Sequence, residues 1–344
     1  MHPPEPLDFE AAARALLPEH VAAYYATAAG SGAALTEGIA GWAGVRFRPL
    51  VLHDVSRIDT STTLLGTAVR TPVLVAPMAY QLAAHPEAEI AMGRAVAATG
   101  SLLGVSTNTA VAFADIAATG ASWWYQVYVS RHRRSTELLV DRAVTAGATA
   151  LVLTVDMNAL LPPAVNPRNW PDGPARSRMS NLTAAELLAA GTDIETDGSI
   201  GPEIIGWLGR LSGLPVVVKG VVRADDARRC VDAGAAAVLV STHGGRRMGP
   251  SISAVHALPE VDAAVGAEVE VYVDSGLRTG EHIAAALALG ARAVFVGRPA
   301  MWALAAEGDR GVRRVLEGLS TELALTMQQL GAARVDELTP DLIG

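Results

Sequence analysis

Eight short runs rich in β-branched residues recur along the chain, and alanine-rich stretches with helical spacing separate them. The runs are almost continuously apolar rather than alternating, a pattern typical of parallel strands that are buried on both faces. Several of the stretches between them end in glycine, which is a common helix C-terminal signal. Eight strand–helix units favour an α/β fold of the closed (β/α)8 TIM-barrel type, although the count alone does not exclude an open doubly wound sheet. The predicted strands cover residues 72–77, 102–106, 123–129, 150–156, 215–220, 236–241, 270–274 and 293–297.

Two long segments fall outside this repeating pattern. Residues 1–70 precede the first predicted strand, and we expect them to form a helical cap. Residues 157–213 form an insertion between the fourth and fifth strands, and the Pro-, Asn- and Arg-rich first half of it predicts an irregular loop over one end of the barrel. Long loops of this kind usually shape substrate access. We therefore expect one domain over residues 1–344 that includes both the cap and the insertion.

Charge and composition exclude several classes of function. The formal net charge is −8 and the basic residues are scattered, so the sequence predicts neither a nucleic-acid partner nor an anionic membrane surface. Cys230 is the single cysteine, which excludes a disulfide framework and a cysteine-rich metal site, and we expect no metal. The first residues lack the basic start and apolar core of a signal peptide, and no run approaches the roughly 18 apolar residues of a membrane span. These features predict a cytoplasmic protein.

Polar residues stand at the carboxyl end of nearly every predicted strand. In a barrel of this kind the carboxyl ends form one rim, on which active sites are built. A purely structural barrel has no need of so many polar groups on one rim, so we expect a functional site there. The rim residues are Pro77, Met78, Ala79, Ser106, Gln126, Tyr128, Thr154, Asp156, Lys219, Ser241, His243, Asp274, Gly297 and Arg298.

The segments DSGLRTGEH and GRPAMW, which follow the seventh and eighth strands, predict a phosphate-binding site. Loops at these two places in such barrels commonly bind phosphate through backbone N–H groups and a helix N-terminus. Gly276 and Gly297 permit close backbone approach, and Arg278 and Arg298 supply charge-assisted donors. The alternative is that the glycines only form tight turns and the arginines pair with surface carboxylates.

Lys219 ends an apolar strand, where an ammonium group must be solvated or paired with an anion. Three interpretations are open at this point: a Schiff-base nucleophile, a fixed cation beside a cofactor, and a structural salt bridge. The residues around Lys219 do not choose among them.

His243 lies just past a strand end, and the two glycines that follow it leave its imidazole accessible. An ordinary pKa near 6.5 suits a general base at neutral pH, with Asp156 as the carboxylate that orients the ring. Arg246 is suited to hold a substrate carboxylate or an oxyanion, and Tyr24 and Tyr128 offer hydroxyl groups to the same substrate. The alternatives are a surface histidine and, for Tyr24, a helix residue that packs the cap on the barrel.

Distinct motifs stand in order along nearly the whole chain: LPEHVAAYYA, FRPLVLHDVSRIDTSTTLLG, PVLVAPMAYQLAAHPEAE, YQVYV, LTVD, LPVVVKGVVRADDA, VLVSTHGGRR and VDSGLRTG. Together they resemble the FMN-dependent 2-hydroxy-acid oxidases and dehydrogenases, the family of glycolate oxidase, lactate oxidase and mandelate dehydrogenase. The resemblance implies an oxidoreductase that binds FMN and oxidises the CH–OH carbon of a small-molecule 2-hydroxy acid. It also implies a homo-oligomer, a tetramer in many members of the family.

The same resemblance implies roles for individual residues. His243 takes a proton from the substrate, Asp156 orients it, and Lys219 lies beside the flavin ring, which displaces the Schiff-base interpretation. Three further residues bind the substrate: Tyr24, Tyr128 and Arg246. The residues implied to hold FMN are Pro77, Met78, Ala79, Ser106, Gln126, Thr154, Lys219, Ser241, Asp274, Ser275, Gly276, Arg278, Gly297 and Arg298.

One departure from the family pattern bears on the substrate. After the fourth strand the family usually has Gly-Arg-Arg, whose arginine helps to hold the substrate carboxylate, whereas this chain has LLPP at 160–163. Losing such a contact typically costs a few kcal/mol, so small 2-hydroxy acids should bind poorly unless another arginine compensates. The candidate replacements are Arg168, Arg176, Arg178 and Arg247.

The missing arginine leaves the substrate and the reaction open. A larger or less acidic substrate, such as a biosynthetic intermediate, is one alternative. A flavin barrel that performs a non-redox, isomerase-like step is a second, and a protein that binds flavin without catalysis is a third. The sequence does not decide whether electrons leave the substrate as hydride or through a carbanion. It also leaves open whether oxygen, a quinone or a carrier protein is the final electron acceptor.

Overall fold

An antiparallel hairpin and a closed parallel barrel make up the sheets of the computed structural model, which describes residues 9–157, 167, 170, 180–190 and 196–344. The hairpin consists of β1 (Thr62–Leu64) and β2 (Thr67–Val69). The barrel strands follow one another in chain order, and the last pairs with the first, so the predicted (β/α)8 barrel is confirmed. They are β3 (Val73–Val75), β4 (Leu102–Val105), β5 (Ser122–Val127), β6 (Leu151–Thr154), β7 (Val216–Val221), β8 (Ala237–Val240), β9 (Glu270–Val273) and β10 (Ala293–Val296).

Helices follow the barrel strands on the outside, and three more precede them. The helices of the first 44 residues are α1 (Phe9–Leu16), α2 (Glu19–Ala26) and α3 (Ala33–Gly44). The later helices are α4 (Gln81–Ala84), α5 (Ala88–Thr99), α6 (Phe113–Ala117), α7 (Arg133–Thr145), α8 (Ala184–Ala189), α9 (Glu203–Ser212), α10 (Ala224–Asp232), α11 (Ala254–Val265), α12 (Gly280–Ala288) and α13 (Arg298–Leu330). Helix α13 is interrupted at Gly308, whose φ of 62° is not helical.

Both faces of the barrel sheet are buried, which explains why the strands are continuously apolar. Alternate residues point inward and pack around the rings of Trp124, Tyr272 and Phe295, whose centroids lie 5.4 to 6.1 Å apart. The residues between them, such as Val73 and Val75, pack against the helices in a second, larger cluster. Burying both faces removes the polar half of the alternating pattern of a half-exposed strand.

The segment predicted as a helical cap is helical only in its first part. Helices α1–α3 pack at the carboxyl end of the barrel, where the Trp42 indole N–H donates to the Ser275 carbonyl over 2.9 Å. The hairpin β1–β2 instead closes the opposite end, because its Leu64 and Val69 belong to the interior cluster and its turn bonds Glu270 at the start of β9.

Within the described residues, no helix is both long and apolar enough to cross a bilayer. The cytoplasmic location, the homo-oligomeric state and the single-domain organisation stay predictions.

Candidate active site

Lys219, near the end of β7, lies in a buried charge pair at the carboxyl end of the barrel, referred to below as the barrel mouth. Its ammonium donates to the Ser241 hydroxyl over 2.6 Å and lies 3.0 Å from Asp274 Oδ2. The strands that carry these residues are adjacent, and a bulge between Lys219 and Val221 shifts their register. Lys219 is the only lysine in the sequence, whose 27 lysine and arginine residues are otherwise all arginine. A compact ammonium on a thin stem fits this enclosed position better than a planar guanidinium does.

His243 is held beside Asp156 by an unusual backbone conformation. Its φ is +55°, and its backbone N–H donates to the Ser241 hydroxyl over 3.0 Å. Its Nδ1 lies 3.0 Å from Asp156 Oδ1. Gly220 makes room for the carboxylate, because a Cβ at this position, where φ is +107°, would lie 2.6 Å from the Asp156 Cβ. The structure therefore brings together the histidine and the aspartate that the strand-end pattern predicts.

The electrostatics of this pair leave His243 able to accept a proton. Burial raises the pKa of Asp156, but the charge that His243 carries when protonated, the hydrogen bond from its ring and the two nearby cations Lys219 and Arg247 outweigh it and lower the pKa to about 2. Burial and the Lys219 ammonium lower the pKa of His243, so its ring is neutral at neutral pH. An ionised carboxylate only accepts hydrogen bonds, so Nδ1 carries the ring proton and Nε2 carries the free lone pair.

Two tyrosines and Arg246 lie near this pair. The Arg246 guanidinium stacks 4.5 Å above the centroid of the Tyr24 ring. Burial raises the pKa of Tyr24 to about 12 against the opposing effect of Arg246. Burial and the charge of Asp156 raise the pKa of Tyr128, which Arg246 and Arg247 oppose. The predicted substrate-binding residues thus share one electrostatic environment with the histidine–aspartate pair.

Buried polar atoms without partners mark a second part of the mouth. Gln126 Oε1 accepts from the Thr107 N–H over 3.1 Å and from the Ser106 hydroxyl over 3.4 Å, whereas its Nε2 has no partner. The hydroxyl of Thr154 on the next strand is also buried without a partner. Unpaired buried donors cost about 1–3 kcal/mol each, so these atoms fit the polar edge of a flat heterocyclic ligand.

Residues 77–79 form a backbone segment directly after β3. Gly104 allows this segment to approach β4, because a Cβ there would lie 2.6 Å from the Pro77 side chain. The Met78 carbonyl accepts from Gln81 over 3.3 Å, and Ala79 is partly buried. The close approach to β4 fixes the position of this segment, and its predicted backbone contacts with a flavin stay a prediction.

The predicted phosphate site contains two half-buried arginines, Arg278 just before α12 and Arg298 at the start of α13. Burial lowers the pKa of Arg278, and burial together with Arg246 and Arg278 lowers that of Arg298 to about 9. At Gly276, where φ is +93°, a Cβ would lie 2.3 Å from the Gly38 carbonyl oxygen of α3. Ser275 beside it donates to Asp274 over 2.6 Å and also has a positive φ, +75°. Two cations beside backbone that only glycine fits suit a phosphate dianion.

Arg298 makes contacts that sequence reasoning did not predict. Its three guanidinium nitrogens donate to the carbonyls of Tyr25, Thr27 and Gly244 over 3.1, 2.7 and 2.8 Å. It therefore ties the cap to the loop that carries His243. Each Nη atom carries a second hydrogen, so these contacts are compatible with a phosphate contact. That contact stays a prediction. A Cβ added at Gly297, directly before Arg298, would lie 3.7 Å from the Met78 sulfur.

Three further residues at the mouth were not predicted from the sequence. The Thr107 hydroxyl donates to the Gln126 carbonyl over 2.5 Å and accepts from the Tyr128 N–H over 3.1 Å, which joins two strand ends. Tyr80 and Trp170 both make edge contacts with Tyr24, with centroids 5.5 and 5.6 Å from its ring. A tryptophan within the Pro-, Asn- and Arg-rich first half of the insertion is a signal that could have indicated Trp170.

The four candidate replacement arginines differ in what the structure says of them. The LLPP segment at 160–163 and Arg168, Arg176 and Arg178 lie outside the described residues. Arg247 is described, and its Nη1 lies 3.7 Å from the Met157 sulfur. Its Nε is buried without a partner.

Comparisons with known proteins agree with one another. A family model described as FMN-dependent dehydrogenase matches residues 13–344. L-lactate oxidase of Nostoc sp. is 37% identical over 358 residues, covering 96% of this chain and 95% of that protein. Glycolate oxidase of Spinacia oleracea is 37% identical over 347 residues, covering 96% and 93%. A structure of mandelate oxidase with (S)-4-hydroxymandelic acid superimposes with a TM-score of 0.85 at 35% identity, covering 98% and 97% of the two chains.

Proposed function

Because the chain belongs to the family of FMN-dependent dehydrogenases, enzymes that use FMN as cofactor, we propose that it oxidises the CH–OH carbon of a 2-hydroxy acid or of a related, larger or less acidic 2-hydroxy compound. The substrate loses its C–H and O–H hydrogens and gains a C=O bond. The observation that carries the proposal is the neutral His243 held at 3.0 Å by the ionised Asp156.

His243 acts as the base. Its Nδ1–H is bonded to Asp156, so Nε2 takes the proton from the substrate, and the carboxylate stabilises the imidazolium that forms. Arg246 binds the acidic group of the substrate, and the hydroxyls of Tyr24 and Tyr128 bond its polar atoms. Tyr24 of the cap helix α2 is buried against Arg246, and the scarcity of water there strengthens the contact between the ring and the guanidinium.

The remaining mouth residues fit FMN. The unpaired Gln126 Nε2 and Thr154 hydroxyl suit the ring edge, and the buried Lys219 ammonium suits its electron-rich side. Arg278 and Arg298, with the backbone of 275–276, would hold the phosphate. Ser106, Ser241, Asp274 and the 77–79 backbone complete the proposed cofactor site. When bound, FMN supplies the acceptor for the two electrons of the substrate.

Anaerobic mixing of the yellow holoenzyme with candidate substrates tests the proposal. Glycolate, lactate, mandelate and 2-hydroxy-phenylacetamide form the panel, and we expect at least one of them to bleach the flavin. Phenylacetate, which lacks the 2-hydroxyl group, should not. His243→Gln should slow bleaching by about 10²- to 10⁴-fold, whereas His256→Gln, a histidine bonded to Ser253 on α11, should not. Persistent yellow colour with every 2-hydroxy compound would contradict the proposal and indicate a flavin-binding protein without this activity.

A further inference from the structure

Two consecutive arginines at the mouth each keep a buried N–H without a partner. Arg246 Nη2 and Arg247 Nε are both buried and unpaired among the described residues. The contact of Arg247 Nη1 with the Met157 sulfur, at 3.7 Å, is a weak one, because a thioether is a poor acceptor. A guanidinium donor buried in this way costs free energy unless a ligand supplies an acceptor.

The two side chains approach the site from different sides. Arg246 stacks on Tyr24 of the cap, at 4.5 Å. Arg247 instead reaches toward the end of β6, where it contacts Met157, the residue after Asp156. Both guanidiniums act on the hydroxyl of Tyr128, and Arg247 also acts on the Asp156 carboxylate. Both guanidiniums therefore contribute positive charge at Tyr128, the hydroxyl proposed to bond the substrate.

The charges around His243 do not balance without a ligand. Lys219 and Asp274 neutralise each other at 3.0 Å. His243 is neutral, and the Asp156 carboxylate is the negative charge on which Arg247 acts, whereas Arg246 lies over the Tyr24 ring and near a further cation, Arg298. At least one positive charge is therefore left over beside His243, and an anionic ligand would offset it. A neutral ligand such as an amide would not.

We infer that Arg247 is a second substrate-binding guanidinium, and that the substrate is a 2-hydroxy acid whose ionised carboxylate lies between Arg246 and Arg247. This inference rests on the proposed function and narrows its substrate class, because it excludes the less acidic alternatives. Arg247 thereby takes the place of a cation from the 160–163 segment, which has none. Two planar forks from adjacent residues suit both oxygens of one carboxylate.

Equilibrium binding of an unreactive acid and its amide tests the inference without turnover. Phenylacetate and phenylacetamide are titrated into the FMN-loaded protein, and binding is read from the change in flavin absorbance. Wild-type protein should prefer the acid by at least about 10-fold, since hydrogen bonds to charged groups are individually worth about that much. Arg247→Gln should lower acid affinity by about 10- to 100-fold and leave amide affinity unchanged. Arg229→Gln, the same change on the exposed face of α10, should alter neither.

Each outcome decides the inference separately from the proposed function. A wild-type preference below about 10-fold, including failure to bind the acid, overturns it, as does an equal effect of Arg247→Gln on acid and amide. If the glutamine variant does not fold, Arg247→Lys serves instead, because it keeps the charge but loses the two parallel N–H donors of the guanidinium, the fork. We expect its preference for the acid over the amide to be weaker than that of wild type but not absent. An Arg247→Lys preference equal to wild type would overturn the role of the fork. A protein that binds the acid but never bleaches would refute the proposed function alone.

Discussion

Replacing Asp156 with asparagine removes the charge that faces His243 while keeping the size of the side chain. The pKa of Asp156 is about 2 against an ordinary 3.8, which corresponds to about 2–3 kcal/mol in favour of its ionised form. This energy is net of burial, which opposes it, and is shared between His243 and two cations, so we assign about 1–2 kcal/mol to the histidine. Loss of about 1–2 kcal/mol of imidazolium stabilisation slows proton removal by roughly 5- to 30-fold.

The hydrogen bond adds a second effect of the same substitution. An asparagine amide can donate to His243 Nδ1, which moves the ring proton to Nε2 and blocks the nitrogen that must accept the substrate proton. A wrong tautomer of this kind costs up to about 10⁴-fold in other histidine-based enzymes. We therefore expect the rate of flavin reduction in Asp156→Asn to fall by about 10²-fold or more.

Stopped-flow absorbance under anaerobic conditions measures this rate directly. Flavin reduction is followed at saturating substrate, and substrate affinity comes from the concentration dependence. Affinity for an acidic substrate should not fall, since Asp156 is a positioning residue that acts through His243 and its negative charge does not favour an anion. Asp232→Asn, an exposed carboxylate on α10, serves as the control. A wild-type rate of reduction in Asp156→Asn would refute the assignment of His243 as a base oriented by this carboxylate.

Two further predictions concern buried charges. Burial raises the pKa of Glu89 to about 7 from 4.5, so the folded chain binds the proton more tightly than the unfolded chain. The free energy of unfolding should therefore fall by about 3 kcal/mol as pH rises from 4.5 to 7. Urea unfolding at about pH 5 and pH 8 measures this loss, which Glu89→Gln should lack. The same pH dependence in wild type and variant would contradict the prediction. Lys219→Arg should overfill the site between Ser241 and Asp274, costing about 1–3 kcal/mol. Thermal unfolding and flavin content measure this cost, with exposed Arg223→Lys as control, and unchanged values would count against a shape-specific role for the lysine.

The barrel strands could be predicted from the sequence because their burial leaves a direct signal. Both faces of β3–β10 pack against apolar neighbours, so each strand is a continuous apolar run. The hairpin β1–β2 could not be predicted in the same way. Its strands have three residues each, and only Leu64 and Val69 are buried. A hairpin that is held to the barrel by two apolar side chains and by a turn bonded to Glu270 has almost no periodic sequence pattern to detect.

The site divides along similar lines. Strand ends of one barrel must meet at one rim, so the strand pattern is enough to place Asp156 near His243. The contacts of Arg298 depend instead on three carbonyl groups, and carbonyl groups have no sequence signature. The same holds for Thr107, which joins two strand ends mainly through backbone atoms. Trp170 packs on Tyr24 across the mouth, a long-range contact that local pattern cannot show.

The arrangement of cations explains why the mouth has a particular ligand chemistry. Arg298 lies near both Arg246 and Arg278, and with burial they lower its pKa to about 9. Three carbonyl groups offset part of this repulsion, but they carry no net charge. Bound anions would offset the rest, because a phosphate dianion matches Arg278 and Arg298, and a substrate carboxylate matches the charge left over at Arg246 and Arg247. Like charges that repel one another in the protein alone are typical of sites that are completed by bound ligands of opposite charge.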